Sequence, residues 1–473
     1  MSRAIVWFRQ DLRLQDNPAL AKACDEHEQV MCLYILEDIQ TVPIGGAQQW
    51  WLHHSIIALQ QQLQSHGLVL TLRLGNAEDI LCQLAQENQI QAIYWNRLYE
   101  PAHQARDTKI KVNLQNKGID VFSFNGSLLN EPWTVKNQAG DFFKVYTPFW
   151  KQCLRQMDVS KDLSVKSWPK PIKCDSEQLE NWHLCPTKPN WAKDFARYWQ
   201  PGSDGAWQKL ITFLETHLND YQHARDCPSL MATSRLSPHL HFGEISPAQI
   251  WRATQDLKND PAINHQSVEH FLAELGWREF SYHLLYHFPA LNTDNFRREF
   301  DAFPWQDNQE ALRCWQQGKT GYPIIDAGMK ELWQTGYMHN RVRMIVASFL
   351  TKDLLIDWRQ GATWFDDTLL DADQANNYAS WQWTAGCGAD AAPYFRIFNP
   401  ILQGEKFDPE GHYVRRFIPA LTNVPNKWLH KPWLAPESEL PIQLGRDYPI
   451  PIVDHQQARK TALQYYGKLK QDK

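Results

Sequence analysis

The chain has 473 residues, 43% hydrophobic and 21% charged, which is typical of a globular protein with two or three domains. Its formal net charge of -5 at pH 7 argues against a surface that binds polyanions everywhere, although a local basic patch is compatible with DNA binding. The nine cysteines form no CxxC pair and no apolar run nears the ~18 residues of a membrane span, which excludes a disulfide framework, a zinc site and a membrane protein.

The first 130 residues alternate short apolar segments with helical ones. Strands are predicted at residues 4–8, 30–36, 68–74, 92–95 and 121–124. One helix is predicted from 47 to 66 and ends before Gly67. A second is predicted to begin after Asn76, its N-cap, and a third is predicted to end near Gly118. This alternation predicts an α/β domain over residues 1–130, built on a doubly wound parallel sheet. No G-x-G-x-x-G follows the first strand, which argues against a dinucleotide site at its first turn.

The rest of the chain divides into a connector and a helical domain. Residues 131–200 contain six prolines and little periodicity, which predicts an interdomain connector that wraps the surface and includes some helix. From 201 to 473 helical periodicity dominates, so we expect an all-α domain there, with a polar tail from Lys460 that frays.

Residues 376–400, NNYASWQWTAGCGADAAPYFRIFNP, are the most informative segment. At the helical step of roughly 100° per residue, Trp381 and Trp383 point about 200° apart and can serve different neighbours. The small residues that follow allow something large and flat to approach the backbone closely. An isolated WxW packs in a core more often than it binds a ligand.

This segment resembles the flavin-binding signature of the photolyase and cryptochrome family. Matching segments run in family order from AIVWFRQDLRLQDNPAL at 4–20 to FNPILQGEKFD at 398–408. The resemblance is closest to class I cyclobutane pyrimidine dimer photolyases. It implies FAD in the helical domain, working in its reduced, anionic state.

The predicted FAD site combines a phosphate-binding segment with residues around the flavin ring. Ser and Thr before a helix suit phosphate, because backbone N–H groups and the helix dipole both favour anions, although TSRLSP read alone is more often a plain N-cap. The resemblance implies FAD contacts from Tyr221, Thr233, Ser234, Arg235, Leu236, Ser237, Arg343, Asp371, Asp373 and Asn377. It places Asn377 opposite flavin N5, where a neutral amide suits an anionic reduced flavin better than Asp would.

The predicted substrate face lies on two helical segments. Glu274, Trp277 and Arg278 have i, i+3, i+4 spacing and share one face, which by itself indicates a surface salt-bridge cluster. The resemblance implies instead that Glu274 hydrogen-bonds a pyrimidine and that Trp277 stacks on or beside the lesion.

The second segment, residues 338–344, indicates which DNA lesion is the substrate. Family members that repair (6-4) photoproducts carry histidines at the positions of Asn340 and Met344, and neither side chain here titrates near neutral pH. The resemblance therefore favours cyclobutane dimers. The DNA contacts it implies are Glu274, Trp277, Arg278, Asn340, Arg341, Met344, Trp383 and Gln403, with Arg396 and Lys406 also expected near the mouth of the cavity.

The implied reaction is light-driven electron transfer. Excited reduced FAD gives one electron to a dimer flipped out of UV-damaged DNA, both cyclobutane bonds break, and the electron returns; photolyases are a known case of base flipping. Glu274 would stabilise the pyrimidine radical anion. Trp381, Trp358 and Trp305 match the family's three-tryptophan electron chain. No metal is required.

Several alternatives stay open. An antenna pigment, methenyltetrahydrofolate or 8-hydroxydeazaflavin, is expected near Tyr94–Asp107, but the sequence does not choose between them. A cryptochrome would share the fold without repair activity, yet such relatives often carry long C-terminal extensions. A flavin electron-transfer module would leave the arginines and the substrate face without a role. We expect a cytoplasmic monomer.

Overall fold

A computed structural model describes residues 2–38, 44–159, 163–391 and 395–471, without the side chains of residues 259, 470 and 471. Three residues of the signature segment, 392–394, lie outside the described part. The strands are β1 (Arg3–Phe8), β2 (Gln29–Leu36), β3 (Leu70–Leu74), β4 (Ala92–Asn96), β5 (Asp120–Phe124) and the short β6 (Lys170–Pro171). The helices are α1 (Pro18–Glu26), α2 (Gly46–Ser65), α3 (Ala77–Glu87), α4 (Pro101–Asn116), α5 (Tyr146–Gln156), α6 (Ser203–Thr216), α7 (Tyr221–Ala224), α8 (Ser237–His241), α9 (Pro247–Asp256), α10 (His265–His287), α11 (Gln309–Gln316), α12 (Pro323–Thr335), α13 (Asn340–Ser348), α14 (Trp358–Thr368), α15 (Gln374–Ala385), α16 (Pro400–Phe407), α17 (His412–Phe417), α18 (Asn426–Leu429) and α19 (His455–Gln471).

The chain forms two compact units whose segments alternate along the sequence. The first unit contains residues 1–219, 234–289 and 370–373, and the second contains 220–233, 290–369 and 374–473. The predicted domain boundaries near 130 and 200 stay a prediction.

The first unit is built on a parallel sheet with strand order β3-β2-β1-β4-β5. Each neighbouring pair is parallel, and the central strand β1 pairs with both β2 and β4. Residues 4–8 of β1 are buried, as expected for a strand covered on both faces. The five predicted strands and the predicted α/β class are confirmed.

Local sequence signals set the helix ends of this sheet region. Asn76 accepts a hydrogen bond from the N–H of Asp79 at the start of α3, at 3.1 Å, as predicted for an N-cap. The helix predicted to stop at Gly67 does so, because Gly67 takes a positive φ of 76° that other residues rarely adopt.

Helix α5 lies in the predicted connector, and residues 129–130, directly before that connector, are fastened to α10 by a buried carboxylate. Glu279 accepts the N–H groups of Leu129 and Asn130 at 3.0 and 2.9 Å. Burial raises the pKa of Glu279 to about 7, although Arg278 and these two donors act in the opposite direction. The connector itself also packs on α10, the helix that carries the predicted substrate residues, since the N–H of Phe143 donates to Nε2 of His283 at 3.0 Å.

The second unit is helical. From residue 201 onward the elements of the described chain are all helices, in both units, so the all-α class predicted for residues 201–473 is confirmed. A π-helical turn over residues 349–353 follows α13, and α14 and α15 pack closely because Gly361 has no side chain. A Cβ there would lie 2.2 Å from the ring of Trp381. The tail was expected to fray from Lys460, and this was wrong, because α19 continues to residue 471.

Candidate functional site

The predicted phosphate segment has a backbone suited to an anion. Arg235 has a positive φ of 52°, and Leu236 follows in the right-handed region with φ -87° and ψ -6°. Successive left- and right-handed residues turn their N–H groups into one concavity, which binds anions. The side chain of Arg235 lies over the ring of Trp199, 4.4 Å from its centroid. The loop therefore offers backbone donors while its arginine is held on the protein.

Two buried aspartates close to this loop belong to the same unit. The hydroxyl of Ser237 donates to Asp371 at 2.5 Å, and the hydroxyl of Tyr282 donates to Asp373. Burial, followed by the charge of Asp373, raises the pKa of Tyr282 well above its usual value, so Tyr282 stays a donor. The structure thus fixes both predicted carboxylates by hydroxyl groups.

Two residues that the sequence did not suggest join this aspartate segment. The side-chain amide of Gln48 donates to the carbonyl of Ala372, between the two aspartates. Its nitrogen also lies 3.1 Å from Nε2 of His241. Burial lowers the pKa of His241, and its buried Nδ1 has no hydrogen-bond partner within the described ranges. His241 is therefore neutral, and its Nδ1 can still form a hydrogen bond with a ligand.

Asn377, in the second unit, has a fixed orientation. Its Nδ2 donates to the carbonyl of Ala362 at 3.0 Å and to Asp366 at 2.7 Å. Because neither partner can donate, the amide nitrogen must face them. The Asn377 oxygen then points away and accepts no hydrogen bond from any described residue. Asp366, which sequence reasoning missed, also accepts the hydroxyl of Tyr378 at 2.6 Å.

The three predicted electron-chain tryptophans all lie in the second unit. Trp358 is buried and its indole N–H donates to Asn295 at 2.9 Å. Trp381 is buried too, and its indole N–H has no partner in the part of the chain that the structure describes. Trp305 packs on Phe303 with ring centroids 4.3 Å apart.

No ring contact joins two of these three indoles among the described residues. Trp381 instead contacts Phe365 and Trp315 edge to face, at 5.0 and 6.2 Å, and Trp358 contacts Tyr378 at 6.1 Å. The three-tryptophan chain stays a prediction.

On α10 the predicted substrate residues have different surroundings. Trp277 is 39% exposed and stacks on Tyr146, while Glu274 is half-buried. The guanidinium of Arg278 donates to the carbonyl of Ser127 at 2.7 Å and lies 4.8 Å from the ring centroid of Tyr282. Arg278 is thus engaged within its own unit, and its predicted DNA contact is untested.

The start of α13 places the subclass residues at the surface. Asn340 is the exposed first residue of the helix and Met344 is half-buried. His339 caps the helix, since its Nδ1 accepts the N–H of Arg341 at 3.2 Å. Burial lowers the pKa of His339 to about 4, so it stays neutral. Its ring is therefore used to cap the start of α13.

Basic side chains near α13 are partly engaged by the protein. Arg341 forms an ion pair with Asp226 at 2.6 Å, and Arg343 donates to the carbonyl of Met338 at 2.7 Å. Gln403 and Trp383 are half-buried on α16 and α15. Tyr221 is buried, and the guanidinium of Arg225 lies 5.2 Å from its ring centroid.

At the carboxyl ends of β1 and β4, where the strand order reverses, side chains of the first unit fill the crevice. Arg9 pairs with Asp107 at 2.5 Å and lies 4.5 Å from the ring centroid of Trp7. Arg106 pairs with Glu37 and lies 5.0 Å from the same ring. Open α/β sheets bind ligands at this position. The predicted antenna segment contributes Arg106 and Asp107 to it.

Two further findings concern metals and membranes. Within the described ranges, no group of three or more His, Cys, Asp or Glu side chains is arranged to hold a metal ion. Among the same residues, no helix has the length and apolar character that a membrane span requires.

The fold and these residues define a class that comparison with known proteins identifies. Residues 4–171 match the family model described as DNA photolyase, and residues 271–468 match the model described as the FAD binding domain of DNA photolyase. The chain belongs to the photolyase and cryptochrome family.

Individual relatives agree with this assignment. The chain is 51% identical to a deoxyribodipyrimidine photo-lyase of Agrobacterium fabrum over 98% of both proteins. It is 38% identical to cryptochrome-2 of Arabidopsis thaliana over 97% of this chain and 78% of that protein. A solved structure titled a bacterial class III photolyase from Agrobacterium tumefaciens matches with a TM-score of 0.96 and 50% identity, covering 100% of this chain and 98% of the other.

Proposed function

We propose that this protein repairs cyclobutane pyrimidine dimers in UV-damaged DNA, using light and FAD. The observation that most supports this proposal is the exposed ring of Trp277 on α10, one turn after Glu274. A flat surface beside a hydrogen-bonding carboxylate suits a flipped-out pyrimidine pair. The name of the Agrobacterium fabrum relative supports the same reaction.

FAD would be held by the residues predicted from the sequence. The backbone N–H groups around Arg235 fit its phosphates, and Asp371 and Asp373 fit its hydroxyl and ring N–H groups. The free oxygen of Asn377 fits an N–H donor, which a reduced flavin offers at N5. When bound, reduced FAD supplies light-driven one-electron chemistry.

The protein's own residues bind and orient the substrate in this proposal. Trp277 would stack on the dimer and Glu274 would hydrogen-bond one base. Asn340 and Met344 cannot exchange protons near neutral pH, which suits a dimer that needs only an electron. Arg341, Arg396 and Lys406 would contact phosphates, so DNA binding should weaken steeply with salt. We further propose that the protein acts as a monomer and that residues 1–130 form the antenna-binding domain. The class I assignment stays a prediction.

The test is direct repair. FAD-loaded protein is reduced and illuminated with a thymine-dimer oligonucleotide, and recovery of thymine absorbance is followed, with a dark sample and a (6-4) photoproduct oligonucleotide as controls. We expect repair of the dimer alone, and a lower yield in Glu274→Ala with unchanged FAD content. No recovery in light would reject repair and favour a cryptochrome role, to which the 38% identity with cryptochrome-2 points. An unchanged yield in Glu274→Ala would remove only that residue from the reaction.

A further inference from the structure

We propose that Tyr146 is a positioning residue that fixes the ring of Trp277 and leaves it a single face for damaged bases. This inference rests on the proposed function and adds to it a residue of the connector. The connector was predicted only as a surface-wrapping segment.

The two rings form a close parallel stack. Their centroids are 3.7 Å apart and their planes differ by 7°. Phe280 meets Tyr146 and Trp277 edge to face, at 6.0 and 6.1 Å. One face of Trp277 is thus covered by Tyr146, and Phe280 limits its tilt. The 39% of Trp277 that stays exposed belongs to the rest of its surface.

Tyr146 is itself anchored on α10. Its hydroxyl donates to the carbonyl of Ala273 at 2.8 Å, one turn before Trp277. Burial, followed by the charge of Glu274, raises the pKa of Tyr146, so the hydroxyl keeps its proton and stays a donor. Tyr146 therefore interacts with both predicted substrate residues of α10, because it stacks on Trp277 and lies near the charge of Glu274.

Gly276 allows Tyr146 and Trp150 to approach α10 closely, because it has no side chain. A Cβ at Gly276 would lie 2.7 Å from the hydroxyl of Tyr146 and 2.6 Å from the ring of Trp150. Glycine lowers helix propensity, so its presence within α10 needs a reason, and close packing of α5 supplies one. The helices meet where the stack forms.

The consequence is a preorganised binding surface. A solvent-exposed tryptophan samples several rotamers, and freezing a mobile side chain on binding weakens a complex by about two- to tenfold. Since Tyr146 already holds the ring, a flipped base pair meets a plane in its bound orientation. This favours a base that is already out of the helix over undamaged duplex, which presents no such base.

The experiment measures DNA affinity with the full-length, FAD-loaded protein. Fluorescence anisotropy gives Kd for a labelled duplex with one thymine dimer and for the same duplex undamaged. The variants are Tyr146→Phe, which keeps the ring, and Tyr146→Leu, which removes it. Tyr198→Leu, at an exposed tyrosine of the same unit, is the matched control. FAD content and Tm are recorded for each.

We expect Tyr146→Leu to weaken dimer binding about fivefold while affinity for undamaged DNA changes less than about twofold. Tyr146→Phe should stay within about twofold, and Tyr198→Leu should match the unmodified protein. In the Trp277→Leu background, adding Tyr146→Leu should cause no further loss, because Tyr146 acts through Trp277.

Three results would overturn the inference. The first is unchanged dimer affinity in Tyr146→Leu. The second is an equal loss of affinity for damaged and undamaged DNA, and the third is a further loss when Tyr146→Leu is added to Trp277→Leu. If Tyr146→Leu loses FAD, Tyr146→Met, whose flexible side chain fills the space without a planar face, takes its place in the same comparison. A failure of the proposed function looks different, because the unmodified protein itself would then not distinguish damaged from undamaged DNA.

Discussion

Asn377→Asp should expose the electrostatics of the α14–α15 contact. The amide nitrogen of Asn377 now lies 2.7 Å from Asp366 and 3.0 Å from the carbonyl of Ala362. A carboxylate in its place would face two acceptors and could donate to neither while ionised. Two like charges about 4 Å apart repel by about 4 kcal/mol at an effective dielectric near 20.

The two carboxyl groups of the variant should therefore share one proton when folded. Folding raises the pKa of this shared proton, so the folded state binds a proton that the unfolded state releases. A group whose pKa is raised by folding stabilises the protein at low pH, and this contribution is lost as the pH rises. We expect the destabilisation by Asn377→Asp to be clearly larger at pH 8, where it approaches the repulsion of about 4 kcal/mol, than at pH 5.

Urea unfolding at both pH values measures this, with Asn377→Asp compared with the double variant Asn377→Asp/Asp366→Asn. In the double variant the new amide at 366 can donate to the new carboxylate, so stability at pH 8 should recover. Equal destabilisation at pH 5 and pH 8, or no recovery in the double variant, would refute the assigned orientation of Asn377.

Three further predictions concern tryptophan, glycine and histidine side chains of the two units. Trp381→Phe should stop photoreduction of oxidised flavin while sparing repair by reduced enzyme; undiminished photoreduction in absorption spectra would contradict the electron-chain role. Gly361→Ala should destabilise the protein by about 1–3 kcal/mol through overpacking on Trp381, offset by about 1 kcal/mol of helix propensity. Gly467→Ala, whose new Cβ has no described atom within 4 Å, should instead stabilise it. Urea unfolding measures both variants, and equal effects would reject the clash at Gly361. Burial lowers the pKa of His339 and of His283 to about 4. The free energy of unfolding should therefore be highest above about pH 6.5 and should fall as the pH drops toward 4. His339→Asn, which can still cap α13, should lessen that fall, and a free energy of unfolding that does not change with pH in the unmodified protein would contradict the prediction.

Much of the fold was predictable because its signals are local. The strands of the sheet are short apolar runs between turn residues, and Asn76 and Gly67 mark helix ends by their own chemistry. The sequence also predicted that Trp381 and Trp383 lie on a helix with different surroundings, and in α15 the first is buried and the second half-buried. Such features need few distant contacts.

The partners of the site residues were not predictable from the sequence. Arg278 donates to a carbonyl 151 residues away, and Gln48 reaches one 324 residues away. No periodicity encodes such pairs, since they depend on how distant segments pack. Tyr146 and Asp366 were missed for the same reason, as one lies in a proline-rich connector and the other reads as an ordinary surface aspartate.

The crevice at the reversal of the sheet has a consequence for pigment binding. The guanidinium groups of Arg9 and Arg106 both lie over the ring of Trp7. Asp107 pairs with both arginines, and Glu37 pairs with Arg106 as well. A neutral guest would have to break one of these ion pairs and leave a charge stranded, at a cost of about 3–5 kcal/mol. An anionic guest could instead take the place of Glu37 as a counterion of Arg106, while Asp107 keeps its pairs with both arginines. A pigment site at this position would therefore favour an anionic chromophore over a neutral one, whatever wavelength the chromophore absorbs.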